Sequence, residues 1–334
     1  MDPLPPSSVP QSTGTPETAR VTVLGARVDM LDERDAHARL RIALGDPWDG
    51  CCRHVATLNP EYVIAARRDP HFAAALARAD VVTADGIGVA VAARLHGVGL
   101  WSCFPARVTG VTVAEWLAAE SCAGSPLFLL GGGEGVAEAA TVTLQSRFPG
   151  AVVAGTWAGG TSRPQDDAEA LRRITESGAR SLLVAYGAAG QVLWINRNRA
   201  ALALAGVRVA VGVGGAMDFL AGRVPRAPEL LQRLGLEWLY RLLRQPWRWR
   251  RQTVLPQFAV LAILEWLWRR GNRAGRYVRR MDLGDQVTDP ADPVDTGRPS
   301  DQGVRGPRQP GRREPLDRSA RDLRRRPGMP KARE

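Results

Sequence analysis

Residues 126–148 read PLFLLGGGEGVAEAATVTLQSRF: an apolar run of strand length, a glycine turn, then an alanine-rich helical segment. A short apolar run that ends in glycines predicts a buried strand. The same unit recurs on both sides of this stretch. Upstream, CRHVATLN (52–59) leads into PEYVIAARR (60–68), and DVVTADG (80–86) leads into IGVAVAARLHG (87–97). Downstream, AVVAGTWAGG (151–160) precedes DDAEALRRITESG (166–178), and RSLLVAYG (180–187) precedes QVLWINRNRAALALAG (191–206). The last unit is VRVAVGVGG (207–215) before AMDFLAG (216–222). Strands alternating with helices predict an α/β, Rossmann-like parallel sheet with helices on both faces. VTVLGARVDML (21–31) reads as one further strand entering this fold. In such sheets ligands sit beyond the carboxyl ends of the strands. Those ends carry Thr57 and Asn59, Asp85 and Gly86, Gly131 to Gly133, Gly187, and Gly214 to Asp218.

From about Leu234 the character changes. LGLEWLYRLLRQPWRWRRQTVLPQFAVLAILEWLWRRGNRAGR (234–276) holds half of the chain's ten tryptophans and many arginines. Leu236, Leu239, Tyr240 and Leu243 fall at i, i+3, i+4 and i+7, so the fold should carry a C-terminal amphipathic helical appendage. Pro246 breaks or kinks that helix. Arg241, Arg244 and Arg248 share its opposite side if the kink is mild. Val254 to Trp268 is apolar but shorter than the roughly 20 residues a membrane span takes. With arginine and tryptophan at its flanks it suits a headgroup-level helix.

The chain of 334 residues is long enough to bury a core, and its formal charge of +11 calls for an anionic partner: nucleic acid, anionic lipid or a phosphorylated substrate. The expected organisation is a disordered start (1–20), an α/β catalytic domain (21–233), the basic appendage (234–280) and a disordered tail (281–334). The start lacks the apolar core of a signal peptide. Cys51, Cys52, Cys103 and Cys122 show no metal-ligand spacing and read as reduced thiols of a cytosolic protein.

Several residues could carry chemistry. The GGGEGVA turn feeds a helix whose exposed amides would attract phosphate, although a purely structural turn fits equally. As a nicotinamide fingerprint it fails, because Val136 stands at the third glycine position and no acidic residue follows at ribose-binding distance. Asp85, in Asp-Gly before a helix, reads either as an N-cap or as a general base at the mouth of the sheet. Asn59, before Pro60, is a good N-cap, and it and Thr57 could equally bond sugar hydroxyls. His54 and His96 read as structural. The ordered region has no Asp-x-Asp, so no metal or other cofactor is expected, and arginine is the alternative counter-charge for a departing diphosphate.

These residues carry a family resemblance. The segments are Thr57-Leu-Asn59-Pro, Ala84-Asp85-Gly86-Ile-Gly88 and Arg107-Val-Thr109-Gly110. Then come Gly131-Gly132 with Gly135-Val136-Ala137, and Gly212-Val-Gly214-Gly215-Ala-Met-Asp218-Phe219-Leu-Ala-Gly222. The last are Arg226-Ala-Pro228 and Gly235-Leu-Glu237-Trp238-Leu-Tyr240-Arg241. Their order and number resemble the WecG/TagA/CpsF glycosyltransferases (glycosyltransferase family 26) over roughly Val21 to Gln252.

The resemblance implies inverting, metal-independent transfer of an N-acetylmannosamine-type sugar from a UDP-sugar donor. The acceptor would be a polyprenyl-diphosphate-linked sugar, undecaprenyl-diphospho-N-acetylglucosamine, at the inner face of the plasma membrane. It makes the chain a cytoplasmic protein held peripherally on an anionic membrane surface, in cell-surface polysaccharide synthesis. Asp85 would deprotonate the acceptor hydroxyl; Thr57 and Asn59 would position the sugars; Arg107 and Gln191 would line the same pocket. Gly131, Gly132, Gly135, Gly214 and Asp218 would serve the donor, and Arg241, Arg244 and Arg248 would supply charge to its diphosphate.

Two departures from the family pattern stand out. Gly187-Ala-Ala189-Gly190-Gln191-Val192 replaces the usual Gly-x-Pro-x-Gln-Glu, and Thr112 stands where an aspartate commonly follows Arg-x-Thr-Gly. Both leave room for a different donor sugar. The competing readings are a nicotinamide- or nucleotide-binding oxidoreductase, disfavoured by the broken glycine fingerprint, and a single-strand nucleic-acid binder. The aliphatic stretch among the tryptophans suits lipid better than bases, so no nucleic-acid partner is expected. A homo-oligomer stays compatible with the sequence.

Overall fold

The computed structural model describes residues 19–97, 107–122, 124–246 and 249–284. The start up to residue 18, the tail from residue 285, Cys103, Trp247 and Arg248 lie outside the described residues. In chain order the elements begin with β1 (Arg20–Val23), β2 (Ala26–Asp29), α1 (Glu33–Leu44), β3 (Arg53–Leu58), α2 (Pro60–Arg68) and α3 (Pro70–Ala77). They continue with β4 (Val81–Ala84), α4 (Ile87–Gly97), α5 (Gly110–Ser121), β5 (Leu127–Gly131), α6 (Val136–Arg147), β6 (Val153–Trp157) and α7 (Asp167–Ser177). Then follow β7 (Ser181–Ala185), α8 (Ala188–Leu204), β8 (Val209–Gly212), α9 (Ala216–Leu220), α10 (Glu229–Arg233), α11 (Glu237–Arg244), α12 (Trp249–Gln252) and α13 (Val254–Gly284).

Six strands form one parallel sheet in the order β4-β3-β8-β7-β5-β6. Alternate residues of each strand feed separate cores on its two faces. Leu127, Leu129, Leu183, Val209 and Val211 pack with α1, α5, α6 and α9. On the other face, Phe128, Leu130, Leu182, Val184 and Ala210 pack with α7 and α8, while Ala56, Leu58 and Val82 pack with α2, α3 and α4. Burial on both faces explains why the strands read as continuous apolar runs without alternation. The predicted α/β class and parallel sheet are therefore what the chain forms.

Residues 21–31 differ from the single strand expected. They fold into an antiparallel hairpin, β1 with β2, separate from the main sheet. Leu24 and Gly25 both have positive φ (50° and 88°), the two-residue turn that matches strand twist. The hairpin guards the edge strand: buried Asp29 accepts the Val82 amide of β4 at 2.8 Å. An unpaired edge amide is thereby satisfied by a side chain and not by another strand.

Helix α11 ends at Arg244, capped by Gln245 just before Pro246, and α12 begins at Trp249. One stripe of α13 lies against the domain. Phe258 (4% exposed) and Ala262 enter the core of α2–α4, and Glu265 accepts the Leu24 amide at 2.7 Å. Arg269 donates to the Thr22 carbonyl at 3.2 Å, and Arg68 to Gln257 at 2.7 Å. The positions 258, 262, 265 and 269 are spaced for one helical face. The opposite face, with Val260, Leu264, Leu267 and Trp268, is exposed. Since a buried phenylalanine is worth about 3–5 kcal/mol against alanine, Phe258→Ala should lower the unfolding free energy by about that amount in one urea transition. An unchanged midpoint would show that α13 contributes nothing to the cooperative fold.

Candidate functional site

The helices that follow β3 pack on one face of the sheet, and the helix that follows β8 packs on the other. Because β3 and β8 are neighbours, their carboxyl ends part and leave a crevice, the place where such sheets bind ligands. Here α4, α11, α12 and α13 wall it into a cavity of about 610 Å³. Thr57, Asn59, Asp85, Arg107, Gln191, Gly214 and Arg241 all line it. Seven residues far apart in sequence thus meet in one place.

Each is held by local chemistry. The Asp85 amide donates to the Leu58 carbonyl at 2.8 Å, which extends the β3–β4 ladder by one bond. Gly86 follows with φ +123°, a turn that glycine alone adopts easily, and α4 starts at Ile87. The N-cap position of α4 therefore falls on Gly86, which leaves the Asp85 carboxyl to the cavity. Asn59 does cap its helix, accepting the Tyr62 amide at 3.1 Å, and Thr57 donates across the crevice to the Gly212 carbonyl at 3.2 Å.

Desolvation pushes the Asp85 carboxyl up from an ordinary 3.8 to about 7. The Arg107 guanidinium opposes that rise, Glu237 adds to it, and the Gly110 amide and Arg241 pull it down. A carboxyl that ionises near neutrality is poised for proton transfer. Arg107 donates to Glu237 at 3.0 Å and to the Gln232 carbonyl at 3.3 Å. Arg241 reaches the Gly215 carbonyl and the Asp218 carboxylate, each at 3.3 Å, and lies 4.5 Å over the Phe219 ring.

Gln191 is 2% exposed, and its amide donates to the Tyr62 hydroxyl while its carbonyl oxygen has no hydrogen-bond partner among the described residues. A Cβ on Gly214 would stand 3.2 Å from that oxygen, and one on Gly212 would clash with the same side chain. Both glycines are thus close-approach positions. Where the family pattern has glutamate, Val192 is fully buried in the same core as Tyr62.

Other expected residues fall elsewhere. Gly131, Gly132 and Gly135 end β5 and open α6 with positive φ, away from the cavity lining. Arg223 donates to the Glu134 carbonyl and so braces this loop. Asp218 touches the site through Arg241. Arg244 is exposed, 5.5 Å from the Tyr240 ring, and does not line the cavity. Arg251 stands there instead, paired with Glu61 at 2.6 Å. The break at Pro246 re-aims the helix, so the simple spacing 241, 244, 248 could not find it. Tyr62, Glu237 and Arg251 went unremarked as site residues because nothing local marks them; each is defined by a partner far along the chain. His54 and His96 are buried, as a structural role requires.

The comparisons fit this geometry. Residues 21–273 match the Glycosyl transferase WecG/TagA/CpsF family. A relative from Bacillus subtilis (strain 168), the N-acetylglucosaminyldiphosphoundecaprenol N-acetyl-beta-D-mannosaminyltransferase, is 32% identical over 212 residues, 63% of this chain and 79% of its own. The enzyme of the same name from Bacillus spizizenii (strain ATCC 23059 / NRRL B-14472 / W23) is 34% identical over 212 residues, 63% of this chain and 78% of its own.

The raised Asp85 value has a measurable consequence. The protonated carboxyl stabilises the fold fully below about 3.8, and that stability is lost as pH rises through about 7. Asp85→Asn should therefore raise the melting temperature at pH 8 and change it much less at pH 4. Equal effects at both would mean that Asp85 titrates normally.

Proposed function

The chain belongs to the WecG/TagA/CpsF glycosyltransferase family, and we propose that it moves an N-acetylmannosamine-type sugar from UDP to a polyprenyl-diphosphate-linked acceptor sugar. The carrying observation is Asp85, a carboxyl ionising near neutrality among arginines at the carboxyl end of the sheet. The names of the Bacillus relatives supply the substrate class.

In this reading the Asp85 carboxylate accepts the proton of the acceptor hydroxyl. The freed oxygen forms a bond to the anomeric carbon of the donor sugar as the bond to the diphosphate breaks. One displacement inverts that carbon, and the electron pair leaves on UDP. Guanidinium groups around the cavity, Arg107 and Arg241, then meet the developing charge in place of a metal. Arg241 is tied to Asp218 before the donor arrives, which leaves it aimed at the donor end beside Gly214 and Gly215. Thr57, Asn59 and Gln191 lie within the same walls and serve to orient the sugars.

Location follows from α11–α13. Among the described residues no helix is long and apolar enough to cross a membrane. The outer face of α13 nevertheless shows Leu264, Leu267 and Trp268 (68% exposed). Arg250 lies 5.6 Å over the Trp249 ring and Arg270 5.3 Å over Trp266. Indoles and guanidiniums together suit a headgroup layer, where each arginine adds about 1 kcal/mol of attraction to anionic lipid. The protein then sits on the inner leaflet with its cavity within reach of a lipid-borne acceptor.

UDP release onto a short-tailed diphospho-N-acetylglucosamine acceptor tests the reading. Transfer should persist in excess EDTA, and a strict divalent requirement would defeat the arginine assignment. Its kcat/KM should rise with pH through about 7 as Asp85 ionises. Asp85→Asn should cost roughly 10²–10⁴-fold, the usual worth of a general base. Arg241→Ala and Arg251→Ala should cut turnover on this soluble acceptor, and Arg244→Ala should spare it. For the surface, Leu267→Glu with Trp268→Glu should abolish flotation with anionic vesicles; unchanged flotation would assign membrane contact to another face.

A further inference from the structure

The cavity is divided by chemistry. Its inner end holds Asp85, Arg107, Gln191 and Arg241, groups that suit sugars and phosphates. Its other end lies between α4 and α13 and is lined by Val91, Ala92 and Leu95 from one helix and Phe258, Ala262 and Ile263 from the other. None of these six side chains offers a hydrogen bond, so a sugar nucleotide gains nothing there.

We infer that this apolar end is a binding subsite for the first isoprene units of the acceptor's lipid chain. The inference rests on the proposed acceptor and adds where its tail is gripped. Three observations carry it. First, one ligand must satisfy both ends of a single cavity, and a sugar joined through a diphosphate to a hydrocarbon does so. Second, a cation stands beside the apolar helices: Arg251, on α12 just before α13, lines the same cavity and can meet the diphosphate between sugar and tail.

Third, the apolar surface continues outward. Val91 is 39% exposed at the rim, and Ile263, which also lines the cavity, is 54% exposed. On α13 it is followed by the exposed Leu264 and Leu267. A tail leaving the cavity over Ile263 therefore meets apolar side chains all the way to the face assigned to the bilayer. Small residues keep the space open. Alanines at 92, 259 and 262 line the cavity and leave the gap between the two helices unfilled. An apolar pocket left to water is unfavourable, and hydrocarbon is the natural occupant.

The grip differs from membrane anchoring in being independent of any bilayer. The test uses the full chain, free of detergent and vesicles, with two soluble acceptors: diphospho-N-acetylglucosamine carrying a methyl or a farnesyl tail. In the native protein KM should be roughly ten- to a hundredfold lower for farnesyl, the effect of burying two or three methylene equivalents. Ile263→Asp, at a position exposed enough to spare the fold, should bring the two KM values together. Ile42→Asp, on the exposed side of α1, should keep the native ratio. Equal KM values in the native protein, or a native ratio in Ile263→Asp, would overturn the subsite while leaving the transferase intact. No transfer to either acceptor would overturn the proposed function itself.

Discussion

A half-buried carboxyl group in a cavity wall loses part of its water, and that loss at Asp85 sets what its neighbours must do. The ends of β3 and β4 hold its backbone rigid, through the amide bond to Leu58 and the glycine turn after it. Desolvation alone would keep the group protonated through neutral pH. Arg107, Arg241 and the Gly110 amide pull the other way and leave it near 7, where it can both hold and release a proton. Glu237 moderates Arg107 by pairing with it at 3.0 Å. In the proposed reaction the guanidiniums that tune Asp85 would also face the leaving diphosphate, so changing either of them should disturb both.

That arrangement depends on the segment after Leu234. Glu237 and Arg241 sit on α11, Arg251 on α12, and Phe258 and Ala262 on α13, so a large part of the cavity wall comes from it. The segment is held to the body by specific contacts: Arg251 to Glu61, Arg68 to Gln257, Glu265 to the hairpin amide of Leu24. One helix, α13, therefore faces three environments. Its buried stripe completes a core, its flank lines the cavity, and its remaining face is an exposed apolar surface with arginines. The proposed work on a lipid-borne acceptor at a headgroup plane would use all three surfaces, and a single amphipathic helix carries them.

The departures from the family pattern lie close to this site. Val192, in the place of a glutamate, is buried beside Tyr62, and the Tyr62 hydroxyl takes up the Gln191 amide. Among the described residues, the neutral Tyr62 hydroxyl is what holds that glutamine. Thr112 has been absorbed into local structure: its amide donates to the Thr109 side chain that caps α5. Neither Val192 nor Thr112 is among the residues that line the cavity.

How much was legible in the sequence follows from the range of the forces involved. Apolar runs ending in glycine, with alanine-rich helices after them, reveal buried parallel strands because period and turn chemistry are local. The row of strand ends pointed to Thr57, Asn59, Asp85 and Gly214 before any coordinate was known, since a parallel sheet presents that edge to ligands; Gln191 came from the family resemblance alone. Local signals misread residues 21–31, where two left-handed residues turn one apparent strand into a hairpin. They also left the Asp85 carboxyl undecided between cap and base, a question of one residue in where α4 begins. The glycines of residues 131–135 read equally well as turn or phosphate cradle, and they lie away from the cavity lining. By itself, then, the sequence determined the fold class, the edge that carries the site and the amphipathic character of the C-terminal segment. Tertiary structure alone decided the pairing of Arg107 with Glu237, the bond of Tyr62 to Gln191, and that Arg251, not Arg244, lines the cavity. Each of those joins residues separated by a helix break or by more than a hundred positions, where only packing can bring side chains together.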